Sequence, residues 1–151
     1  MDQILQNRVN KWIIVILYWL LFIGLSYMQT IASMYRLRDT PSGDITFDFY
    51  TDAWVGAIVV SIFYLLCTVF IIRIKRYGIQ LLVHSFLVCF LWFFEDLSVF
   101  MDREASWSTY SFSESVSYTF LYSVLPISIT LIVFGALSRI IHKRFPIVYK
   151  K

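Results

Sequence analysis

The sequence predicts an all-α, polytopic membrane protein, a four-helix transmembrane bundle with both termini on the cytoplasmic side. Three observations lead there. The 151 residues are 59% hydrophobic and only 15% charged, with a mean hydropathy of +0.70. Globular chains average about 45 to 50% apolar and about 25% charged, so the surplus apolar surface must face lipid. Four stretches contain no charged residue: Trp12 to Tyr35, Ala53 to Ile72, Tyr77 to Phe94 and Ser115 to Ser138. Finally, Lys and Arg are sorted by loop.

A helix rises about 1.5 Å per residue and the hydrocarbon slab is about 30 Å thick, so roughly 20 apolar residues span it. All four stretches meet that length. Backbone groups in lipid must pair within their own segment or in a closed barrel, and these continuous apolar runs lack a barrel's alternation. The expected helices are about 12–35, 53–72, 77–101 and 115–141, within one domain, 1–151. The third extends past Glu95 and Asp96 because Leu97, Val99, Phe100 and Met101 carry the apolar character onward. The first has Arg8 and Lys11 before it and a small-residue pair, Thr30 and Ala32, near its end, as a cleaved signal peptide would. Signal cores run only about 7 to 15 residues, so an uncleaved anchor is expected.

Orientation follows from the basic residues, which cytoplasmic loops retain in excess. Arg8, Lys11, Arg73, Lys75, Arg76, Arg139, Lys143, Arg144, Lys150 and Lys151 fall on one side. Only Arg36, Arg38 and Arg103 fall on the other, beside nine of the ten acidic residues. Integration in the plasma membrane with both termini cytoplasmic is therefore expected. The basic tail, Arg139 to Lys151, is explained by this retention without any further partner.

The connection Arg73 to Arg76 is so short that the second and third helices must form an antiparallel hairpin. The first outer loop carries a turn signal, Pro41-Ser42-Gly43, and then Ile45, Phe47 and Phe49 alternate with polar neighbours, which suggests a short strand. The second, Ala105 to Ser113, interleaves Ser and Thr with Trp107, Tyr110 and Phe112. An interfacial aromatic belt is the favoured reading of these rings; a fold over the bundle's mouth is the other.

The third helix holds the polar residues of greatest interest. At 100° per residue, Gln80, His84, Glu95, Ser98 and Asp102 fall within about 60° on one face. Leu87 and Leu91 lie between them as an apolar plug. Ionisable groups at membrane depth are costly and usually face the bundle, so this candidate functional face is expected to point inward. Asp96, rotated a further 100°, is expected to reach headgroups or water. His84 and Glu95 suit a proton or cation path, because imidazole titrates near neutrality and carboxylates accept cations. Their separation, about 16 Å along the helix, is too long for direct transfer. Interhelical hydrogen bonding by His84, with Glu95 at the outer interface, is the favoured reading.

Other chemistry is poorly supplied. Cys67 and Cys89 lie in separate apolar spans without Cys-x-x-Cys spacing, so inert packing is expected rather than thiol redox work. His84 and His142 are the only histidines, and no metal or other cofactor is expected. Helix contacts are expected at Ala53, Ala57 and Ser61, and at Ser123, Ser128, Gly135 and Ser138, since small side chains allow close approach in lipid. Pro126 is expected to bend the fourth helix.

The chain resembles short four-helix multidrug exporters in helix count alone, because their essential glutamate lies in the first helix and Trp12 to Tyr35 contains none. The expected function is non-enzymatic: a small accessory, immunity or partner-binding membrane protein. A small oligomeric transporter or channel using the polar face of the third helix is the alternative. No nucleophile and base, catalytic carboxylate pair in a pocket, or metal set supports an enzyme. The expected partners are the lipid bilayer and another membrane protein or a second copy, with no nucleic acid.

Overall fold

Four long helices, in the order in which the apolar stretches occur, form the protein in a computed structural model. They are α1 (Asp2–Met34), α2 (Phe49–Ile71), α3 (Tyr77–Arg103) and α4 (Phe112–Arg144). The structure describes residues 2–43 and 48–145, with side chains described from Val9 onward. All four helices are long and apolar enough to cross a membrane. Each exposes large apolar side chains such as Leu20, Phe63, Phe86 and Leu125, which a protein dissolved in water would bury.

The helix ends follow from local chemistry rather than from where the apolar residues stop. Asp48 caps α2, its carboxylate accepting hydrogen bonds from the amides of Tyr50 and Thr51 at 2.9 Å. Helix α2 therefore begins at Phe49, four residues before the charge-free stretch. The proposed strand lies mostly on residues 44–47, outside the described residues, and Phe49 itself is helical. Ser111 and Glu114 form a capping box that starts α4 at Phe112. At the other end α4 runs through the basic residues Arg139 and Lys143 to Arg144. Pro126 does not interrupt it, and Ser128 bonds to the carbonyl of Val124 at 2.6 Å.

The contacts fix an up-down-up-down bundle. Ser26 and Gln29 of α1 meet Glu95 and Asp96 of α3 in ascending order, so these diagonal helices run parallel. Helices α2 and α4 run against them, as Tyr64 meets His84 and Tyr77 meets His142. The Arg73–Arg76 turn thus shares one end, the basic end, with the start of α1 and the finish of α4. The two longer connections occupy the opposite, acidic end. Helix α3 packs on α1, α2 and α4 alike.

Buried positions recur every four residues. On α3 they include Gln80, His84, Val88, Trp92, Asp96 and Phe100; on α1, Ile14, Tyr18, Phe22, Ser26, Thr30 and Met34; on α4, Ser115, Thr119, Ser123 and Ile127. This is packing along the i, i+4 ridges of each helix. Small residues allow it: Ala53, Ala57 and Ser61 of α2 are all buried, and Ser61 Oγ accepts a hydrogen bond from Trp19 Nε1 at 3.1 Å.

Candidate functional site: two buried carboxylates on α3

Helix α3 brings polar side chains into the bundle at three levels. Nearest the basic end, His84 is fully buried, its Nδ1 3.0 Å from the hydroxyl of Tyr64 and its ring stacked 4.6 Å from that of Tyr18. Gln80 is buried one turn below. An aromatic plug separates this level from the next. Phe22 stacks on Tyr64 at 4.2 Å and on Trp92 at 6.1 Å, and Val88 and Leu91 complete the plug. Leu91 takes the expected place, while Leu87 is only partly buried.

The middle level holds Glu95 and Asp96. Both are buried, at 2% and 0% exposure. With a 30 Å slab centred on α3, they sit about 8 to 9 Å from its midplane, within hydrocarbon depth. Glu95 turns toward α1 and α2. Its Oε2 accepts a 2.5 Å hydrogen bond from Ser26 Oγ, and its side chain lies against Gly56, where a Cβ would come within 3.2 Å of Oε1. Asp96 turns toward α1 and α4. Its Oδ2 accepts from Gln29 Nε2 at 2.7 Å, and the same amide donates to Ser33 Oγ at 2.6 Å. Ser123 of α4 also presents its hydroxyl to Asp96 without reaching hydrogen-bond geometry. Glu95 Oε1, Asp96 Oδ1, Thr119 Oγ1 and Ser123 Oγ are buried without a hydrogen-bond partner. Among the described residues neither carboxylate has a basic partner.

The third level closes the acidic end. Asp102 Oδ2 accepts from Ser42 Oγ at 2.5 Å and Asp102 Oδ1 from the amide of Gly43 at 3.1 Å. Glycine lets the loop approach this closely, because a Cβ on residue 43 would stand 2.9 Å from Asp102 Oδ1 and displace that carboxylate. Arg103 is buried, pairs with Asp52 of α2 and donates from Nη1 to the carbonyl of Thr40 at 2.7 Å. Trp107 Nε1 donates to the carbonyl of Pro41 at 2.9 Å, so the second loop is tied to the first across the mouth of the bundle. The rings of this loop thus do more than line an interface, although Trp107 and Phe112 remain exposed.

Three corrections to the expected placements result. Ser98 is exposed and belongs to no inward site, Asp96, expected at headgroups or water, is fully buried, and Glu95, favoured at the outer interface, is buried as well. The reason is the four-residue spacing. Each step of four adds 400°, 40° beyond a full circle, so from Gln80 to Phe100 the buried face rotates by about 200°. A straight stripe drawn from Gln80 and His84 therefore leaves the bundle near Ser98, while Asp96 and Arg103 enter it. Gln29 correspondingly bonds Asp96, not Glu95.

Cys67 and Cys89 are free thiols, each partly buried. Among the described residues no group of His, Cys, Asp and Glu has the arrangement of a metal centre. No family model, curated protein or solved structure matches the chain.

Proposed function

We propose that this is a small non-enzymatic carrier in the plasma membrane, with both termini cytoplasmic, whose work rests on reversible binding of a small cation, the proton included, by Glu95 and Asp96. One observation carries the reading: two adjacent carboxylates are fully buried at membrane depth without a basic partner. Burying a carboxylate is costly, and a structural role would be met at lower cost by the neutral amides, Gln and Asn, in the same shape. Carboxylates at this depth are accounted for by a positive charge that comes and goes. The hydroxyls of Ser26, Ser33 and Ser123 and the amide of Gln29 suit that role, because they stabilise a carboxyl group in either state. His84, about 16 Å toward the basic end, supplies a second titratable station beyond the aromatic plug.

The test is flux. Purified protein in liposomes should dissipate a proton or alkali-cation gradient, and Glu95→Gln combined with Asp96→Asn should abolish this while preserving a monodisperse, folded protein. Native protein that moves neither ion under either polarity would refute the carrier reading.

The acidic end favours a second reading, that of an accessory, immunity or other partner-binding protein. There Arg103, Asp102 and Trp107 fasten Thr40, Pro41 and Ser42 of the first loop to α3 and the second loop, and Tyr50, Trp54 and Trp107 stay exposed. Copurification of a stoichiometric membrane partner, lost when Trp107 is replaced by Ser, would favour it.

A further inference from the structure

Building on the cation-binding reading above, we infer that the ion taken up by Glu95 and Asp96 is the proton, bound at two separate one-proton positions rather than as a metal cation held between the carboxylates. The first argument is direction. Adjacent helical residues diverge by about 100°, and here Glu95 points between α1 and α2, toward Ser26 and Gly56, whereas Asp96 points between α1 and α4, toward Gln29 and Ser123. The bonded partners of the two carboxylates thus lie in different seams, Ser26 for Glu95 and Gln29 for Asp96, with Thr30 of α1 beside both.

The second argument is room. Hard cations such as calcium and magnesium collect about six or more oxygen ligands at about 2.0 to 2.6 Å. Glu95 Oε1 lies so close to α2 that even the Cβ of an alanine at position 56 would be 3.2 Å away. On that side a hydrogen fits and the further oxygens of a coordination shell do not. The third is the sign of the neighbours. Gln29 turns its NH2 to Asp96 Oδ2 at 2.7 Å, with Ser33 Oγ 2.6 Å from the same nitrogen, and a donor hydrogen repels a metal ion approaching the same carboxylate.

A proton meets none of these obstacles. Placed on Asp96 Oδ1, it leaves the Gln29 bond to Oδ2 in place; placed on Glu95 Oε1, it leaves the Ser26 bond to Oε2 in place. The other groups facing the pair are uncharged: Ser26, Gln29, Thr30 and Ser33 from α1, Gly56 from α2, and Ser123 from α4. The charged residues of the packed helices, Asp52, Asp102 and Arg103, lie a turn or more toward the acidic end, and Asp52 and Arg103 pair with each other.

Infrared difference spectroscopy of the full chain in lipid nanodiscs, stepped through pH, tests this. The native protein should show two titrating carboxylic-acid carbonyl bands from buried groups. Glu95→Gln should remove one, Asp96→Asn the other, and replacing choline by sodium, lithium or potassium should move neither. Ser26→Ala, which keeps the carboxyl and removes a single bond, should shift only the Glu95 band and serves if Glu95→Gln does not fold. Bands displaced by an alkali cation would overturn the proton assignment while leaving a cation site intact. Titrating bands that are absent in the native protein, or unchanged in both carboxyl variants, would overturn the assignment and the carrier reading together.

Discussion

The bond between Gln29 and Asp96 decides whether α3 is correctly oriented, and a double-mutant cycle measures it. Gln29 Nε2 lies 2.7 Å from Asp96 Oδ2, with both side chains fully buried. In a water-soluble core, orphaning one partner of such a bond costs about 1 to 3 kcal/mol, while replacing both by apolar groups of similar shape is nearly neutral. Between membrane helices the coupling is smaller, about 0.6 kcal/mol on average and about 1.7 at most, because separated helices still find polar partners in the bilayer. The lower scale governs here, since Ser33 and Ser123 stand ready to replace part of what is lost. Gln29→Leu and Asp96→Val should thus each destabilise the bundle by about 1 to 2 kcal/mol, and the double variant by about 0.6 to 1.7 kcal/mol less than their sum. Reversible unfolding in mixed micelles, followed by circular dichroism, gives all three values. Ser98→Ala, on the exposed face, should stay within about 0.5 kcal/mol of the native protein. A coupling indistinguishable from zero, or a Ser98→Ala effect as large as that of Asp96→Val, would refute the inward placement of Asp96.

Arg103→Ala should destabilise by about 2 to 3 kcal/mol, toward the low end for a broken buried pair because the Asp52 side chain is 19% exposed against 2% for Arg103. Trypsin should then cut faster at Arg36 and Arg38, and Arg103→Lys should restore resistance only in part, since one ammonium nitrogen does not reproduce the two-nitrogen fork to Asp52 and the Thr40 carbonyl. Hydrogen bonds from Thr51, backbone and side chain, and from the Tyr50 amide hold the Asp48 carboxyl below its usual value of 3.8. Its stabilisation of the α2 start is accordingly complete above about pH 4 and lost as pH falls through the lowered folded-state value. The protection factors of the Tyr50 and Thr51 amides, exchange corrected for its intrinsic pH dependence, should fall across that acid range in the native protein and stay level in Asp48→Asn. A reporter active only outside the cytoplasm should be silent after Lys151 and active when inserted between Pro41 and Asp48, and the reverse pattern would invert the proposed orientation.

The four helices were legible because lipid imposes length and uninterrupted apolarity, and both are visible in any window of sequence. Their ends were not, because absence of charge measures hydrocarbon rather than helix. Helix α1 runs on through Arg8 and Lys11, and α4 through Arg139 and Lys143, with nothing in headgroups or water to break them. Two caps were nevertheless written in the sequence, Asp48 ahead of Tyr50 and Thr51, and Ser111 three residues before Glu114. At the site, Gln80, His84 and Glu95 were legible from the wheel because they lie early on the rotating face. The hydroxyl lining was missed although it carried a signal: Ser26 and Thr30 on α1, and Ser115, Thr119 and Ser123 on α4, repeat at the same four-residue interval as the buried residues of α3.

The inward position of Asp96 is not legible on a single helical stripe, and the reason is geometric. Two consecutive residues of a helix diverge by about 100°, so on a helix touching one or two neighbours a Glu-Asp dipeptide at membrane depth must show at least one carboxylate to lipid or water. Sequence reasoning about a single stripe makes that choice and assigns Asp96 outward. Helix α3 escapes the choice because it touches three helices, meeting α1 across the diagonal as well as α2 and α4 beside it. The buried arc then exceeds 100° and admits both carboxylates, Glu95 into the seam closed by Gly56 and Asp96 into the seam lined by Ser123. Small residues on the flanking helices are what make the arc wide enough, since Gly56 leaves room for Glu95 and the Ser123 hydroxyl lies where a larger side chain would fill the space beside Asp96. Adjacent acids that interrupt an apolar helix, flanked on other spans by Gly and Ser at helical spacing, thus indicate a helix surrounded on three sides, a signal that depends on reading the four segments together.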